Sequence, residues 1–156
     1  MKPRLALIVV LLALALACLA QTAQSVDTRH LIEPADLARL LPTSKPLVFM
    51  VGPQKLYAQA HIPDAEYIGM TSQPEGIQAL RERVRKLPKT RFIVVYCGCC
   101  PWDRCPNLAP AFNELKTLGF KNVKALHIPQ NFGTDWVSKG LPTQKGEPAP
   151  PPSGGQ

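Results

Sequence analysis

The sequence predicts an α/β protein with a mostly parallel central sheet and helices on both of its faces. Two apolar runs, 47–51 and 91–96, lack the alternation of polar and apolar residues that marks a strand with one face in water. A third strand is predicted over 121–126. Segments with helical spacing of apolar residues separate these strands. Since fully apolar strands that alternate with helices are typical of covered parallel sheets, we expect three layers.

The first two helices are predicted from the spacing of their apolar residues. One spans 32–41, where Pro34 suits the first turn and Pro42 follows the last turn. The other spans 76–86. Its apolar side is formed by Ile77, Leu80, Val84 and Leu87.

A third helix, over 108–118, follows a loop that is dense in cysteine. Asn107 is expected to cap this helix, and Gly119 is expected to end it in the left-handed conformation. The cysteine loop, 97–105, therefore lies between the carboxyl end of a central strand and a helix N-terminus. Open α/β sheets usually bind their ligands at such a position.

The N-terminus is typical of a secretory signal peptide. Lys2 and Arg4 precede an apolar run over 5–17, and small and polar residues follow it. A membrane-spanning helix needs roughly 20 apolar residues, which is more than this run contains. We therefore expect a signal peptide over 1–25, cleaved near its end, and a periplasmic or secreted protein. A second hypothesis makes Cys18 the acylated N-terminus of a lipoprotein.

The C-terminal segment 146–156 is rich in proline and glycine and has almost nothing to bury. Because such a segment cannot enter a helix or a central strand, we expect a disordered tail. What remains, 28–145, has the length of one domain with a real core. The expected mature protein is a monomer without a membrane span.

The chain carries a net charge of +7, much of it in a basic run over 81–91. A nucleic-acid site would need a recognisable binding motif with interleaved aromatic residues, and the sequence has neither. We therefore interpret the run as a solvated helix face and expect no nucleic-acid partner. An anionic partner or a membrane surface is the alternative.

Four segments carry a family resemblance: Ala60-His-Ile-Pro-Asp-Ala65, Tyr96-Cys97, Leu118-Gly-Phe-Lys-Asn-Val123, and Trp136 with Gly140-Leu-Pro142. In order and spacing they resemble the signatures of the rhodanese-like domains over 28–145. The counterparts are Gly-His-Ile-Pro-Gly-Ala, the strand end with the catalytic cysteine, Leu-Gly-Phe-x-x-Val, and a closing Trp with Gly-x-Pro. The resemblance implies a three-layer rhodanese-like fold and a sulfurtransferase with Cys97 as its nucleophile.

The chain departs from the family pattern around the same site. Met50-Val51-Gly52 replaces the usual Asp-Val-Arg, and Leu56 replaces the glutamate that usually follows. Because apolar replacement of every member of a buried ion pair can be neutral, the fold is expected to tolerate this. The cysteine loop is longer than usual. Cys97 and Arg104 are spaced as Cys-x6-Arg, which does not fit the Cys-x5-Arg of the phosphatase variant.

Sulfur transfer is the first hypothesis for the loop. Cys97 would take sulfur from a sulfane sulfur donor, hold it as a persulfide and pass it to a thiophilic acceptor, without a cofactor. The expected partner is a small sulfur-donor molecule or a thiol protein. Amides at the helix N-terminus, together with Arg104, are expected to lower the pKa of Cys97. Cys99, Cys100 or Cys105 would resolve the persulfide into a disulfide.

Two other hypotheses use the same thiols. Cys97, Cys99, Cys100 and Cys105 would together bind a thiophilic ion such as Cu(I) or Zn, although their spacing differs from the separated ligand pairs of structural zinc sites. Alternatively, the loop would form a disulfide, with Cys105 paired to Cys97 or Cys99, because a bond between the vicinal Cys99 and Cys100 would be strained. A catalytically silent domain is also compatible with the sequence.

The remaining candidates surround the thiols. Trp102 would either shield a thiolate or anchor the loop on the sheet. Asp103 would either pair with Arg104 or take part in the site. His61 is expected to position its own turn, and 131–135 is expected to line the rim of the pocket.

Overall fold

The computed structural model describes residues 25–148. Cys18, nearly all of the predicted signal peptide and residues 149–156 of the predicted tail lie outside this range, so the expectations about them stay predictions. Between residues 25 and 148, no helix is both long enough and apolar enough to cross a membrane.

Five short strands form one sheet, and every strand pairing in it is parallel. The strands are β1 (Leu31–Ile32), β2 (Leu47–Met50), β3 (Glu66–Tyr67), β4 (Ile93–Tyr96) and β5 (Val123–Leu126). Their order across the sheet is β1-β5-β4-β2-β3. The predicted parallel sheet is confirmed, and β4, which leads into the cysteine loop, is its central strand.

Helices cover both faces of this sheet. The described residues form α1 (Pro34–Ser44), α2 (Gln54–Gln59), α3 (Pro74–Val84), α4 (Leu108–Thr117) and α5 (Phe132–Asp135). One core holds the buried side chains of α3 and α4. The other holds those of α1, α2 and α5. The three-layer prediction is therefore confirmed.

Strands β2 and β4 are buried along their whole length. Their side chains alternate between the two cores: Phe49 and Val95 pack on the α3 and α4 side, and Val48 and Val94 pack on the other side. Because both faces of these strands are covered by helices, the sequence shows no polar alternation along them.

Most helix boundaries differ from the prediction by one to three residues, and two of them involve proline. Helix α1 continues through Pro42 to Ser44 instead of ending before the proline. The missing amide of Pro42 affects only the last turn, because the chain leaves the helix at Lys45 with φ of 42°. Helix α3 begins at Pro74, two residues before the predicted start at Gly76, since a proline is favourable in a first helical turn.

The segment after α5 returns to the sheet edge beside α2, and we call residues 141–147 the C-terminal strap. His61 and Gln144 exchange backbone hydrogen bonds of 2.9 and 2.8 Å. The Gly146 amide donates to the Ala58 carbonyl at 3.1 Å. The Gln144 side chain accepts from the Asp64 amide at 3.1 Å. These bonds fasten the strap to the chain on both sides of His61.

Candidate active site

The cysteine loop begins with a tight turn at the end of β4. Cys97 follows the strand directly, and Gly98 has φ of 91°, a conformation that favours glycine. The Gly98 carbonyl accepts a hydrogen bond from the Phe132 amide at 3.0 Å. A Cβ atom at position 98 would lie 2.9 Å from the Cβ of Phe132. Glycine is therefore required where the loop meets α5.

Three of the four thiols in the loop form a compact cluster. The sulfur atoms of Cys97, Cys99 and Cys105 all lie within 4.8 Å of one another. The Cys97 and Cys99 sulfurs are 3.3 Å apart, and the Cys99 and Cys100 sulfurs are 2.9 Å apart. All four thiols are free. The structure therefore brings the predicted thiols together, with Cys100 outside the cluster of three.

The four cysteines of the loop differ in their exposure to solvent. Cys97 and Cys105 are only 3% and 6% exposed and belong to the core on the α3 and α4 side. Cys100 is partly buried, whereas Cys99 is exposed. The thiol cluster thus has a buried pair, Cys97 and Cys105, and a third sulfur, that of Cys99, that solvent reaches.

Hydrogen bonds within the buried pair give its two thiols different pKa values. The hydrogen bond with Cys97, with help from the Asn107 and Leu108 amides, lowers the pKa of Cys105 to about 6, although burial acts in the opposite direction. The hydrogen bond with Cys105 and then burial raise the pKa of Cys97. Burial is also the main reason that the pKa of Cys100 is raised. The surroundings of the pair therefore favour Cys105 over Cys97 as the thiolate.

The helix N-terminus consequently acts on a different thiol from the one that the sequence favoured. The amides of Asn107 and Leu108, at the start of α4, point at the Cys105 sulfur. Cys97 instead has the Cys99 amide as its backbone donor. Cys105 gains these amides because it immediately precedes the first turn of α4, where amides have no partner within the helix.

Asn107 does not cap α4 with its side chain, so that prediction is wrong. Its Oδ1 accepts from the Ser72 amide at 2.9 Å, and its Nδ2 donates toward the Cys97 sulfur at 3.7 Å. The Thr71 hydroxyl donates to the Asn107 carbonyl. The side chain is buried and committed to these partners, so it positions the thiol instead of the helix end. The sequence shows a polar residue before α4, but it does not show which groups the side chain binds.

A cavity of about 340 Å³ opens beside the loop. Cys97, Gly98 and Cys99 form part of its wall. The opposite wall includes Met50 and Leu56, which stand at the positions where the sequence departs from the family pattern. Neither Cys100 nor Cys105 lines this cavity.

The chemical character of the cavity follows from the rest of its wall. Asn131, Phe132 and Gly133 line it, which confirms this part of the predicted rim. Asp135 does not line it, because its carboxylate accepts hydrogen bonds from the Gln130 and Asn131 amides. Among the described residues, no charged side chain reaches the wall.

Gly52 explains one of the departures from the family pattern. A Cβ atom at position 52 would lie 2.8 Å from the Cys97 sulfur and 3.2 Å from the Cys97 carbonyl oxygen. No side chain fits there without displacing the thiol. The glycine at the position of the usual arginine therefore makes room for Cys97.

The second half of the loop anchors it to the sheet. The Trp102 amide donates to the Ile128 carbonyl at 2.9 Å, and its ring packs on the α3 and α4 core and edge-on to His127. Asp103 and Arg104 are exposed. Within residues 25–148, their side chains form no ion pair with each other and no hydrogen bond with a thiol. The contacts of Trp102 agree with the anchoring role.

His61 positions its own turn, as the sequence predicted. Its Nδ1 lies 2.8 Å from the Tyr57 carbonyl oxygen, and its ring stacks on the Tyr57 ring at a centroid distance of 3.8 Å. These contacts and its backbone bonds to the C-terminal strap keep the histidine away from the thiols.

Comparison with known proteins identifies the fold. The model of the family described as Rhodanese-like domain matches residues 33–127, more than half of the chain. The rhodanese-like domain of the Alr3790 protein from Anabaena sp. is 22% identical, with a TM-score of 0.55 over 81% of this chain and 87% of that chain. No curated protein matches this chain.

The descriptions of two further solved structures name a sulfurtransferase and a persulfide. Thiosulfate sulfurtransferase from Pseudomonas aeruginosa is 29% identical, with a TM-score of 0.57 over 80% of this chain and 20% of that chain. A persulfide form of EanB with ergothioneine is 20% identical, with a TM-score of 0.56 over 73% of this chain and 27% of that chain, and this likeness shows the fold alone. With the family match over 33–127, these findings confirm the resemblance: the chain belongs to the rhodanese-like domain family.

Proposed function

We propose that the protein is a sulfurtransferase or persulfide carrier that uses Cys97 as its nucleophile. The main support for the proposal is the position of Cys97, which lies in the cavity wall and also beside Cys105. The likeness to thiosulfate sulfurtransferase over 80% of this chain supports the reaction class. A donor molecule in the cavity would meet the Cys97 thiol first.

Cys105 supplies the base that this reaction needs. As the Cys97 sulfur attacks the outer sulfur of a persulfide donor, its proton passes to the Cys105 thiolate. The new bond joins Cys97 Sγ to the transferred sulfur, and the bond between the two donor sulfurs breaks. The donor leaves as a thiol after taking up a proton from solvent. An acceptor thiol then removes the transferred sulfur from Cys97.

The cavity disfavours a doubly charged donor such as thiosulfate and is better suited to one with at most one net negative charge, such as an alkyl persulfide. Its volume of about 340 Å³ suits a small molecule, and Met50, Leu56 and Phe132 make its wall largely apolar. An anionic donor such as thiosulfate would lose water there without gaining a charged partner, which is costly. We therefore expect a low-molecular-weight alkyl persulfide to react faster than thiosulfate.

Sulfide production from a persulfide donor in the presence of excess dithiothreitol tests the proposal. The wild-type protein should catalyse it, and Cys97→Ser should not. Cys100→Ser is the matched control, because Cys100 lies in the same loop but does not line the cavity, and a serine there can still donate a hydrogen bond to Cys105. Equal activity of the wild type and Cys97→Ser would refute the proposal.

The thiol cluster also supports metal binding as a second candidate function. With metal–sulfur distances of about 2.3 Å, three sulfurs around one ion lie about 4 Å apart. The sulfurs of Cys97, Cys99 and Cys105 lie within 4.8 Å of one another, so small shifts would allow Cu(I) or Zn to bind. Metal analysis and Cu(I) titration of anaerobically purified protein test this, with Cys100→Ser expected to bind like the wild type. A stoichiometry below one ion per chain would exclude the candidate.

A further inference from the structure

We propose that Cys105 is a resolving cysteine: it attacks the Cys97 persulfide, forms a Cys97–Cys105 disulfide and releases sulfide. This inference rests on the proposed sulfur transfer to Cys97. It adds a second product, sulfide, and a partner class, a dithiol reductant that restores the two thiols. The protein would then be a sulfane-sulfur reductase rather than a simple carrier.

The geometry brings the two sulfurs together on a side that the donor does not occupy. Cys97 and Cys105 lie within 4.8 Å of each other and share the core on the α3 and α4 side. Cys97 faces the cavity, whereas Cys105 does not line it. A donor therefore reaches Cys97 from the cavity while Cys105 stays beside it under the loop. Both sulfurs are shielded from solvent, so an external thiol reaches the persulfide less easily than Cys105 does.

The surroundings of Cys105 suit a resolving thiol. The Asn107 and Leu108 amides donate to the Cys105 sulfur from the start of α4, where such amides lack partners within the helix and stabilise negative charge on an attacking sulfur. These amides belong to α4, so they stay beside the Cys105 sulfur after the proton of Cys97 has been transferred. Cys105 can therefore attack the persulfide while the proton that it accepted passes to the departing hydrosulfide.

The step balances without an external oxidant. The bond from Cys97 Sγ to the transferred sulfur breaks, and a bond from Cys97 Sγ to Cys105 Sγ forms. The transferred sulfur leaves with the electron pair as hydrosulfide and is reduced, while the two cysteine sulfurs are oxidised to the disulfide. The reducing equivalents come back when the dithiol partner exchanges with this disulfide.

Cys99 is the competing candidate because its sulfur is closer to Cys97, at 3.3 Å. A Cys97–Cys99 bond would enclose only Gly98 and the adjoining backbone, in the turn where the Gly98 carbonyl is bonded to the Phe132 amide. Such a small ring strains the disulfide or the loop. The bond to Cys105 has no such short connection, so it is the favoured product.

A single turnover without reductant tests the inference, with cysteine persulfide as the probe. The wild type should release sulfide, and intact mass should show the loss of two hydrogens without a gain of sulfur. Cys105→Ser should instead gain one sulfur on Cys97 and release at least about tenfold less sulfide. Its reaction needs a longer incubation, because this variant lacks the base that accepts the proton of Cys97. Cys100→Ser should behave like the wild type. Cys99→Ser removes the competing thiol and lies in the cavity wall, so its rate can differ, but its product should still be the disulfide, with the loss of two hydrogens and no gain of sulfur.

The outcomes separate this inference from the proposed function. If the wild type accumulates a stable persulfide, or if Cys99→Ser alone blocks sulfide release, the role assigned to Cys105 is wrong while sulfur transfer stands. If neither the wild type nor Cys105→Ser consumes the probe, sulfur transfer itself is wrong. Peptide mapping after alkylation of free thiols should locate the disulfide at Cys97 and Cys105, and another pairing would overturn the assignment.

Discussion

Cys97 and Cys105 lie buried between β4 and α4, whereas Cys99 and Cys100 occupy the middle of the same loop nearer to solvent. The buried pair contacts Asn107 and the first amides of α4, and the hydrogen bond from Cys97, together with these amides, lowers the pKa of Cys105. The outer pair lacks the helix amides. Surroundings rather than residue type therefore separate the thiols, and the following predictions test that separation.

The largest effect is expected from Cys97→Ser. A serine hydroxyl is a far weaker nucleophile toward sulfur, so the rate of sulfur transfer should fall by about a thousandfold or more. Cys100→Ser should stay within about twofold of the wild type by the same steady-state assay. A comparable loss in both variants would mean that the two pairs do not differ in function.

The second prediction concerns the acidity of the buried pair. Hydrogen bonds move the pKa of Cys105 from 9.0 to about 6, so its thiolate should form as the pH rises through about 6 and disappear on acidification. Thiolate absorbance in the ultraviolet measures this midpoint. Cys105→Ser should abolish the step near pH 6. Cys100→Ser should keep it with a small shift at most, because the Cys100 hydrogen bond lowers the pKa of Cys105 less than Cys97 and the α4 amides do. A step that survives in Cys105→Ser would assign the thiolate to another cysteine.

Gly52→Ala should disturb the buried pair by crowding it. The added methyl would lie 2.8 Å from the Cys97 sulfur, so we expect about tenfold slower transfer and a loss of about 1–3 kcal/mol in the free energy of unfolding.

Gly76→Ala is its matched control, because a Cβ there meets the Met70 carbonyl oxygen at 2.2 Å, in a contact that does not involve a thiol. Denaturant unfolding should show a loss of stability for both variants. Only Gly52→Ala should slow transfer at a temperature where both stay folded, and equal slowing would leave Gly52 without a specific role.

The smallest effect is expected from Asn107→Asp. The carboxylate can still accept from the Ser72 amide, but it cannot donate toward the Cys97 sulfur. Its negative charge should also raise the pKa of Cys105, so transfer at pH 7 should slow by about threefold to tenfold. The rate should recover as the pH is raised, which a purely structural defect would not do. A pH-independent loss would contradict this explanation.

The sheet was predictable because its central strands are continuous apolar runs. The strands predicted over 47–51 and 91–96 are within two residues of β2 and β4. Gly119 follows the end of α4 with φ of 86°, which is the left-handed conformation predicted for it. Strands β1 and β3, at two residues each, are too short to leave a periodic signal.

The site was predictable in position but not in its internal order. Tyr96-Cys97 marked the strand end, and the thiol-rich loop marked the candidates. Which thiol faces the α4 amides depends on a contact between distant segments, the bond of Asn107 to the Ser72 amide. It also depends on the turn at Gly98. Spacing along the chain does not encode either geometry.

The C-terminal strap has a practical consequence for defining the working unit of this protein. The family match ends at residue 127, yet the cavity wall continues through Asn131, Phe132 and Gly133. The strap beyond them is tied to the chain on both sides of His61. A fragment that ends at residue 127 would keep Cys97 and Cys105 but lose one wall of the cavity. The smallest fragment that keeps the whole cavity wall and its anchoring contacts therefore extends to the end of the strap, about twenty residues past that boundary.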